Sequence, residues 1–307
     1  MHHGPTRART PAKLAAAELV LTTYGTLRQD AELLAKVEFE LVVLDEAQAI
    51  KNHAAQAAKA ARLLRADLRL ALTGTPVENR LADLLSIFEF LNPGLLDGSR
   101  ALRNLMKAAT DEHEVARLAA RALRPFLLRR TKEEVLAELP PKTEQVVLCE
   151  LVGAQHKEYE ALREHYRRSV LGKIDELGME RTRMNVLEAL LRLRQASCHL
   201  GLIDPTREGV PAAKLETLLP MLEEVLDAGH KALVFSQFTS FLALLRRTLD
   251  AKKITYEYLD GRTRDREARV RAFQEDPKSG LFLISLKAGG TGLNLTAADY
   301  VFLLDPW

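Results

Sequence analysis

The sequence predicts an α/β protein with two parallel-sheet lobes and helical insertions between them. Three observations predict it. Short apolar runs alternate with helical segments, the βα pattern of doubly wound sheets. In the first part of the chain, three apolar runs each end directly in hydroxyl or acidic groups. The second half then repeats that architecture without repeating its sequence. A single polar strand end is an ordinary helix cap. Three in succession place reactive groups on the edge outside the carboxyl ends of strands, where open α/β sheets bind ligands.

Residues 1–13 are polar, carry Pro5 and Pro11, and read as a loop. Glu18 to Thr23 reads as a short buried strand ending in Thr22, Thr23, Tyr24 and Gly25. A helix through Leu27–Lys36 follows. The next strand centres on Leu41-Val42-Val43-Leu44, a continuous apolar run of the kind buried on both faces in parallel sheets. Asp45, Glu46, Ala47 and Gln48 come directly after it. Ala54–Arg65 is helical by composition. Leu68–Leu72 is a third strand and runs into Thr73-Gly74-Thr75-Pro76. Leu81–Leu91 is amphipathic, with Leu81, Leu84, Leu85, Phe88 and Leu91 at helical spacing, and Asn92-Pro93-Gly94 stops it.

Residues 99–200 change character and are dominated by helical composition, with a strand indicated at Thr143–Leu151. Residues 154–199 read as two long helices, with Gly172 and Gly178 near the break. Their arginines (Arg163, Arg167, Arg168, Arg181, Arg183, Arg192 and Arg194) fit either a polyanion-facing surface or a solvated helix face with glutamates interspersed. Asp204 to Pro211 is a linker. A helix over Lys214–Ala228 ends at Gly229. Strands follow at Lys231–Phe235, Ile254–Leu259, Leu281–Ile284 and Tyr300–Leu304, with helices at Phe238–Lys252 and Arg264–Phe273 between them.

Composition narrows the class. The chain has 307 residues, enough for two domains, with 47% hydrophobic and 28% charged residues. A net charge of +2 neither demands nor excludes a polyanionic partner. Cys149 and Cys198 form no ligand-spaced pair, so neither a disulfide framework nor a zinc site is expected, and a reducing, cytoplasmic setting is. No apolar run approaches the roughly 18 residues of a membrane span, and the N-terminus lacks the apolar core of a signal peptide.

Three constellations carry candidate chemistry. At a strand's carboxyl end, Asp45 can hold a hydrated Mg²⁺ on a nucleotide while Glu46 orients or deprotonates a water; the same Asp can equally cap the next helix. Thr73 and Thr75, on a turn set by Gly74 and Pro76, can sense a phosphate through hydrogen bonds to Asp45 or Glu46, or form an ordinary turn. Lys287 to Asn294 contains Gly289, Gly290 and Gly292, whose backbone can approach a phosphate closely or simply flex. The arginines at 262, 264, 266, 269 and 271 fit phosphate contact or a solvated helix.

The segments Leu21–Leu27, Leu44–Asn52, Leu72–Asn79, Pro125–Lys132, Val234–Phe238 and Ser285–Leu295 occur in this order. Together they resemble the SWI/SNF-type DNA-dependent ATPases of helicase superfamily two, in their bacterial DEAQ/DEAH-box form. The likeness covers nearly the whole chain. It implies two RecA-like lobes with ATP–Mg²⁺ between them and duplex DNA along their face. On that basis residues 1–98 form part of lobe one, 99–141 a helical protrusion and linker, 142–205 a helical insertion, and 206–307 part of lobe two. The resemblance assigns Mg²⁺ to Asp45, water positioning to Glu46 with Gln48 beside it, and coupling of hydrolysis to lobe movement to Thr73, Gly74 and Thr75. Nucleic-acid contact falls to Thr22, Tyr24, Arg129, Arg130, Ser236, Gln237 and Lys287, and a lobe-two loop function to Gly289, Gly290, Thr291, Gly292 and Asn294. It further implies a nucleoid-associated motor that displaces a DNA-bound protein such as RNA polymerase. The sequence around Asp45 to Asn52 and Phe126 to Lys132 argues against an RNA helicase.

Two family features are absent from these residues. No G-x-x-x-x-G-K-[ST] phosphate loop occurs; the Gly172-Lys173 pair is followed by Ile174. The arginine motif expected after Asp305-Pro306-Trp307 is also missing. An arginine finger contributes roughly 10³–10⁵ in rate. These residues by themselves, an internal portion of such a motor, are therefore expected to hold ATP and Mg²⁺ weakly and to hydrolyse ATP negligibly. The lobe-one sheet is expected to be incomplete, with an exposed apolar flank.

Overall fold

The computed structural model describes residues 1–5, 7–74, 81–94, 121, 123–136, 138, 140–290 and 292–306. Thr75, Thr291 and most of the expected 99–141 protrusion lie outside them. Two units are present, Met1–Pro141 and Lys142–Trp307.

In the first unit, β1 (Glu38–Leu44) and β2 (Arg65–Ala71) pair in parallel. The helix Gln56–Leu63 makes the crossover that parallel strands require. Leu41 lies opposite Leu68 and Val43 opposite Leu70. The pleat sends successive side chains to opposite faces. Val42 and Leu44 therefore enter a core with Leu27, Leu34, Ile50, Ala58, Ala61 and Phe90. Their neighbours do not: Leu41 is 51% exposed and Leu68 66%, with Val43, Leu70 and Leu72 also exposed. Burial on both faces, expected from the apolar run, is thus corrected to burial on one, because the described helices pack on that side alone.

The strand expected at Glu18–Thr23 is also corrected. It reduces to a single bridge between His2 and Thr22, with Leu19 and Leu21 exposed. A strand needs a continuous ladder, and here a single backbone bond, His2 N–H to the Leu21 carbonyl at 2.7 Å, forms at the bridge. Tyr24 instead opens a helix, Tyr24–Gln29, capped by the Thr23 hydroxyl. A second short helix, Ala31–Leu34, follows Asp30, whose carboxylate binds Arg7 and His2. The helix Leu81–Leu91 has its expected bounds. Residues 143–151 run without a ladder rather than as the expected strand, leaving Val146 and Leu148 exposed.

The second unit begins with a helical hairpin, Gly153–Leu177 and Met179–Cys198. Gly178 makes the break with φ +79°, a value that suits glycine. Buried Gln155 ties the hairpin down: its amide donates to the Ala196 carbonyl at 3.0 Å and accepts from Ala213 N–H at 2.9 Å. The helix Ala213–Asp227 leads to a parallel sheet of order β4-β5-β3-β6, with β3 at Ala232–Ser236, β4 at Glu257–Leu259, β5 at Leu281–Ser285 and β6 at Tyr300–Leu303. One face packs on Leu222, Phe241, Leu242 and Leu245. The other packs on Phe273 and Ala288. All of β5 is buried. Among the described residues no helix is long and apolar enough to cross a membrane.

Candidate functional site

The first site is the corner where β1 stops. Parallel pairing brings the ends of β1 and β2 to one edge, so Asp45 and Glu46 emerge beside Thr73. The ladder continues past both strands: Leu72 N–H donates to the Leu44 carbonyl at 2.8 Å, and Ala47 N–H to the Leu72 carbonyl at 2.9 Å. Between these anchors Glu46 adopts φ 49°, ψ 50°. That left-handed conformation is uncommon for a residue with a Cβ and costs on the order of 1–3 kcal/mol. Such strain concentrates where function needs a side chain aimed in one direction. The Asp45 Oδ1 accepts from Glu46 N–H at 2.9 Å, and both side chains are exposed.

Gln48 links this corner to β2. Its Nε2 donates to Glu46 Oε2 at 2.5 Å, and its Oε1 accepts from the Thr73 hydroxyl at 2.8 Å. The expected Thr73 bond to a carboxylate is thus made through the Gln48 amide. Gly74 is exposed next to it. The Tyr24 hydroxyl donates to the Asp45 main-chain carbonyl at 2.8 Å. Burial first, then the charges of Asp45 and Glu46, push its phenol up to about 12. Thr22, exposed, donates its hydroxyl to the His2 carbonyl at 2.9 Å.

These residues fit Mg²⁺ on a nucleotide in a particular way. Among the described residues no group of three or more His, Cys, Asp or Glu side chains could hold a metal ion. Mg²⁺ on a phosphate needs no such cage: one or two carboxylates suffice, with water and phosphate oxygens completing the shell. An exposed Asp45 meets that requirement, with the exposed Glu46 carboxylate next to it in the chain.

The second unit uses its strand ends differently. Ser236 is fully buried, and its hydroxyl donates to Asp305 Oδ2 at 2.8 Å. Gln237 N–H donates to both Asp305 oxygens, at 3.0 and 3.2 Å. The Gln237 side-chain oxygen, in the orientation its donors require, accepts from Arg194 Nη1 at 3.2 Å and from Nη2. Arg194 also lies over the Phe238 ring, 5.9 Å from its centroid. Lys214 donates to the Leu304 carbonyl at 2.8 Å and lies 3.6 Å from the Cys198 sulfur. Burial pushes that thiol up, away from reactivity. Asp305 and Arg194 are the residues whose contacts sequence reasoning missed. Asp305 was legible as another polar strand end; Arg194 was hidden within a row of helical arginines.

In the glycine loop, Lys287 is exposed and Ser285 caps the short helix Leu286–Gly289. A Cβ on Gly289 would lie 2.8 Å from Phe235 Cε1, so close packing requires glycine there. Gly292 needs it for φ +58°. Gly290 and Asn294 are exposed, and Gln274 donates to the Asn294 carbonyl at 2.7 Å. Arg266 donates to the Ala288 carbonyl at 2.6 Å. Arg129 and Arg130 are exposed on an irregular segment. Arg163, Arg167 and Arg168 pair with Glu160 and Glu164 along the same helix, as a solvated face does.

Comparison with known proteins gives this arrangement a family. Residues 1–202 match the SNF2-related domain and residues 213–307 the helicase conserved C-terminal domain. An uncharacterized ATP-dependent helicase of Mycoplasma pneumoniae is 34% identical over 94% of this chain and 28% of its own length. The putative ATP-dependent helicase/translocase YwqA of Bacillus subtilis is 35% identical over 100% of this chain and 34% of its own. The chain thus spans about a third or less of these relatives. Among solved structures, the Sulfolobus solfataricus SWI2/SNF2 ATPase core domain is 33% identical with a TM-score of 0.50, over 100% of this chain and 64% of that one. Its RecA-like lobes are the counterparts of the parallel sheets described above. The first domain match runs to residue 202, whereas packing puts the helical hairpin with the second unit. Gln155 and Arg194, both on that hairpin, bond to the second unit's own strand end and helix. On these matches, the chain belongs to the SNF2-related, SWI/SNF-type family of ATP-dependent helicases.

Proposed function

We propose that this chain is a portion of an ATP-driven motor that moves on duplex DNA and remodels what is bound there. The observation that carries the reading is the strained Asp45–Glu46 corner, joined through Gln48 to Thr73. A motor must couple a nucleotide site to movement, and this chain of two hydrogen bonds connects a water-positioning carboxylate to the end of the neighbouring strand. ATP carries the triphosphate whose cleavage drives the cycle, and Asp45 would hold its Mg²⁺ through water. Glu46 orients the attacking water, a role worth about 10²–10⁴ in rate.

Duplex contact falls to Thr22, to exposed Arg129 and Arg130, to the Gln237 turn and to Lys287. The Ser236 hydroxyl serves the turn from inside, through Asp305. The loop from Gly289 to Asn294 and the turn at Gly74 and Thr75 complete the coupling elements. Support comes from the family match and from the description of the Bacillus relative as a helicase/translocase. A DNA-bound protein such as RNA polymerase is the expected target.

A second reading is a non-catalytic DNA-binding or regulatory remnant of such a motor. Genomic sequence around the coding region separates the two, since an in-frame phosphate loop upstream belongs to the motor. Biochemically, salt-dependent retention on duplex DNA is expected, and it should weaken when Arg129 and Arg130 become Ala. Unchanged retention removes the DNA assignment. DNA-stimulated ATP turnover that survives Glu46→Gln removes Glu46 from its role.

A further inference from the structure

Tyr24 has a structural partner that its place in the sequence does not reveal. It is the first residue of its helix, directly after Thr22 and Thr23. Its ring is half-buried against the first unit's core. Its hydroxyl reaches across 21 residues of chain to the main-chain carbonyl of Asp45. The Asp45 carbonyl lies between the end of β1 and the left-handed Glu46. It is thus at the pivot of the corner, where a small rotation changes the aim of both carboxylates. The other restraints on that corner come from β2, through Leu72 and through Thr73 by way of Gln48. Tyr24 supplies a restraint from a separate segment, the one exposed to solvent at Thr22 and Thr23. With its phenol held near 12, the hydroxyl keeps its proton and remains a donor throughout the physiological range.

We propose that Tyr24 is a positioning residue: its hydroxyl, bound to the Asp45 carbonyl rather than to a DNA strand, transmits engagement of the exposed Thr22 and Thr23 by duplex DNA to the Asp45–Glu46 corner. This deepens the motor reading and rests on it. The bond gives the two sites a direct mechanical connection inside one unit. DNA that shifts the start of the helix draws on the carbonyl, and the strained Glu46 backbone turns with it.

Amide hydrogen exchange of the 307-residue chain, with and without a random-sequence DNA duplex, tests this without needing ATP turnover. In the wild-type chain the duplex should change exchange across residues 44–48. Tyr24→Phe keeps the ring and removes the donor. It should raise basal exchange at residues 46 and 47 by about tenfold, the effect of one lost hydrogen bond. It should bind the duplex within about twofold of wild type, and the duplex should no longer alter exchange at 44–48. Unchanged exchange at residues 58–61, in the adjacent core, reports that the variant is folded. Should it change, 4-aminophenylalanine at position 24 keeps an N–H donor in place and is expected to restore the wild-type response. A Tyr24→Phe chain that responds to DNA as wild type does overturns the proposal. A loss of duplex affinity beyond about tenfold overturns it too, because Tyr24 would then be a DNA contact. Failure of the wild-type chain to bind duplex is a different result: it defeats the motor reading itself and removes the ground on which the coupling stands.

Discussion

The two parallel sheets are written in similar sequence and live in different surroundings. β5 carries Leu281, Phe282, Leu283 and Ile284, all fully buried. β1 carries Leu41, Val42, Val43 and Leu44, and only alternate residues are buried. The four-stranded sheet is covered on both faces, by helices 213–227 and 239–251 on one and by helix 266–275 on the other. Among the described residues, the two-stranded sheet is covered on one. An apolar run records that a strand can be buried twice over; how many layers surround it decides whether it is. Strand-end aspartates differ in the same way. Asp45 faces solvent, available to a ligand, whereas Asp305 is turned inward and spends its oxygens on Ser236 and Gln237.

Stability measurements should show the sheet contrast most strongly. Phe282→Ala removes a fully buried ring and is expected to cost about 3–5 kcal/mol in denaturant unfolding. Leu68→Ser, on the open face, should stay within about 0.5 kcal/mol and raise solubility. Equal costs would mean that the open face is covered in solution.

The aspartates should separate next. Asp305→Ala leaves a buried hydroxyl and an N–H without their acceptor, a loss of about 1–3 kcal/mol. Asp45→Ala should leave unfolding nearly unchanged while weakening Mg²⁺–nucleotide binding. A large stability loss at Asp45 would break the distinction between an inward and an outward strand end.

Basic residues sharpen the comparison in solution. Replacing Arg129 and Arg130 should lower the slope of log affinity for duplex against log salt by about 1 for each phosphate no longer neutralised. Replacing Arg167 and Arg168, which pair with Glu164, should lower it less. The smallest effect belongs to two tyrosines, one in each unit. Tyr24 and Tyr258 are both raised to about 12, foremost by burial, with Asp45 and Glu46 adding at the first and Asp260 at the second. A raised phenol holds its proton more tightly when folded. Its stabilising contribution is therefore complete below the unfolded value near 10 and fades as pH rises through 12. Phenolate absorbance should show late steps from Tyr24 and Tyr258, and Tyr24→Phe should remove its own.

Much of this was legible beforehand, and the misses share a cause. The strands β1, β2, β3, β5 and β6 all fall on segments that the apolar runs identify, because composition and length suffice to mark a strand in a parallel sheet. The segment Glu18–Thr23 has the same composition yet forms no strand, because a ladder needs a partner that local sequence does not name. Asp45 and Glu46 stood out because two carboxylates closing an apolar run are conspicuous. The Tyr24–Asp45 and Arg194–Gln237 contacts were not, since each joins residues distant in sequence with no periodicity relating them.

Residue order alone settles where the strands of both sheets begin and end to within a few positions, which polar groups follow them, and to which family the motifs point, because these depend on local pattern. Three-dimensional packing alone decides that Glu46 is held in a left-handed backbone, that Ser236 is sealed against Asp305, and that Tyr24 braces the acidic corner. Each of those outcomes rests on a hydrogen bond or a covering layer supplied from elsewhere in the chain, and burial is a property of neighbours rather than of the residue itself.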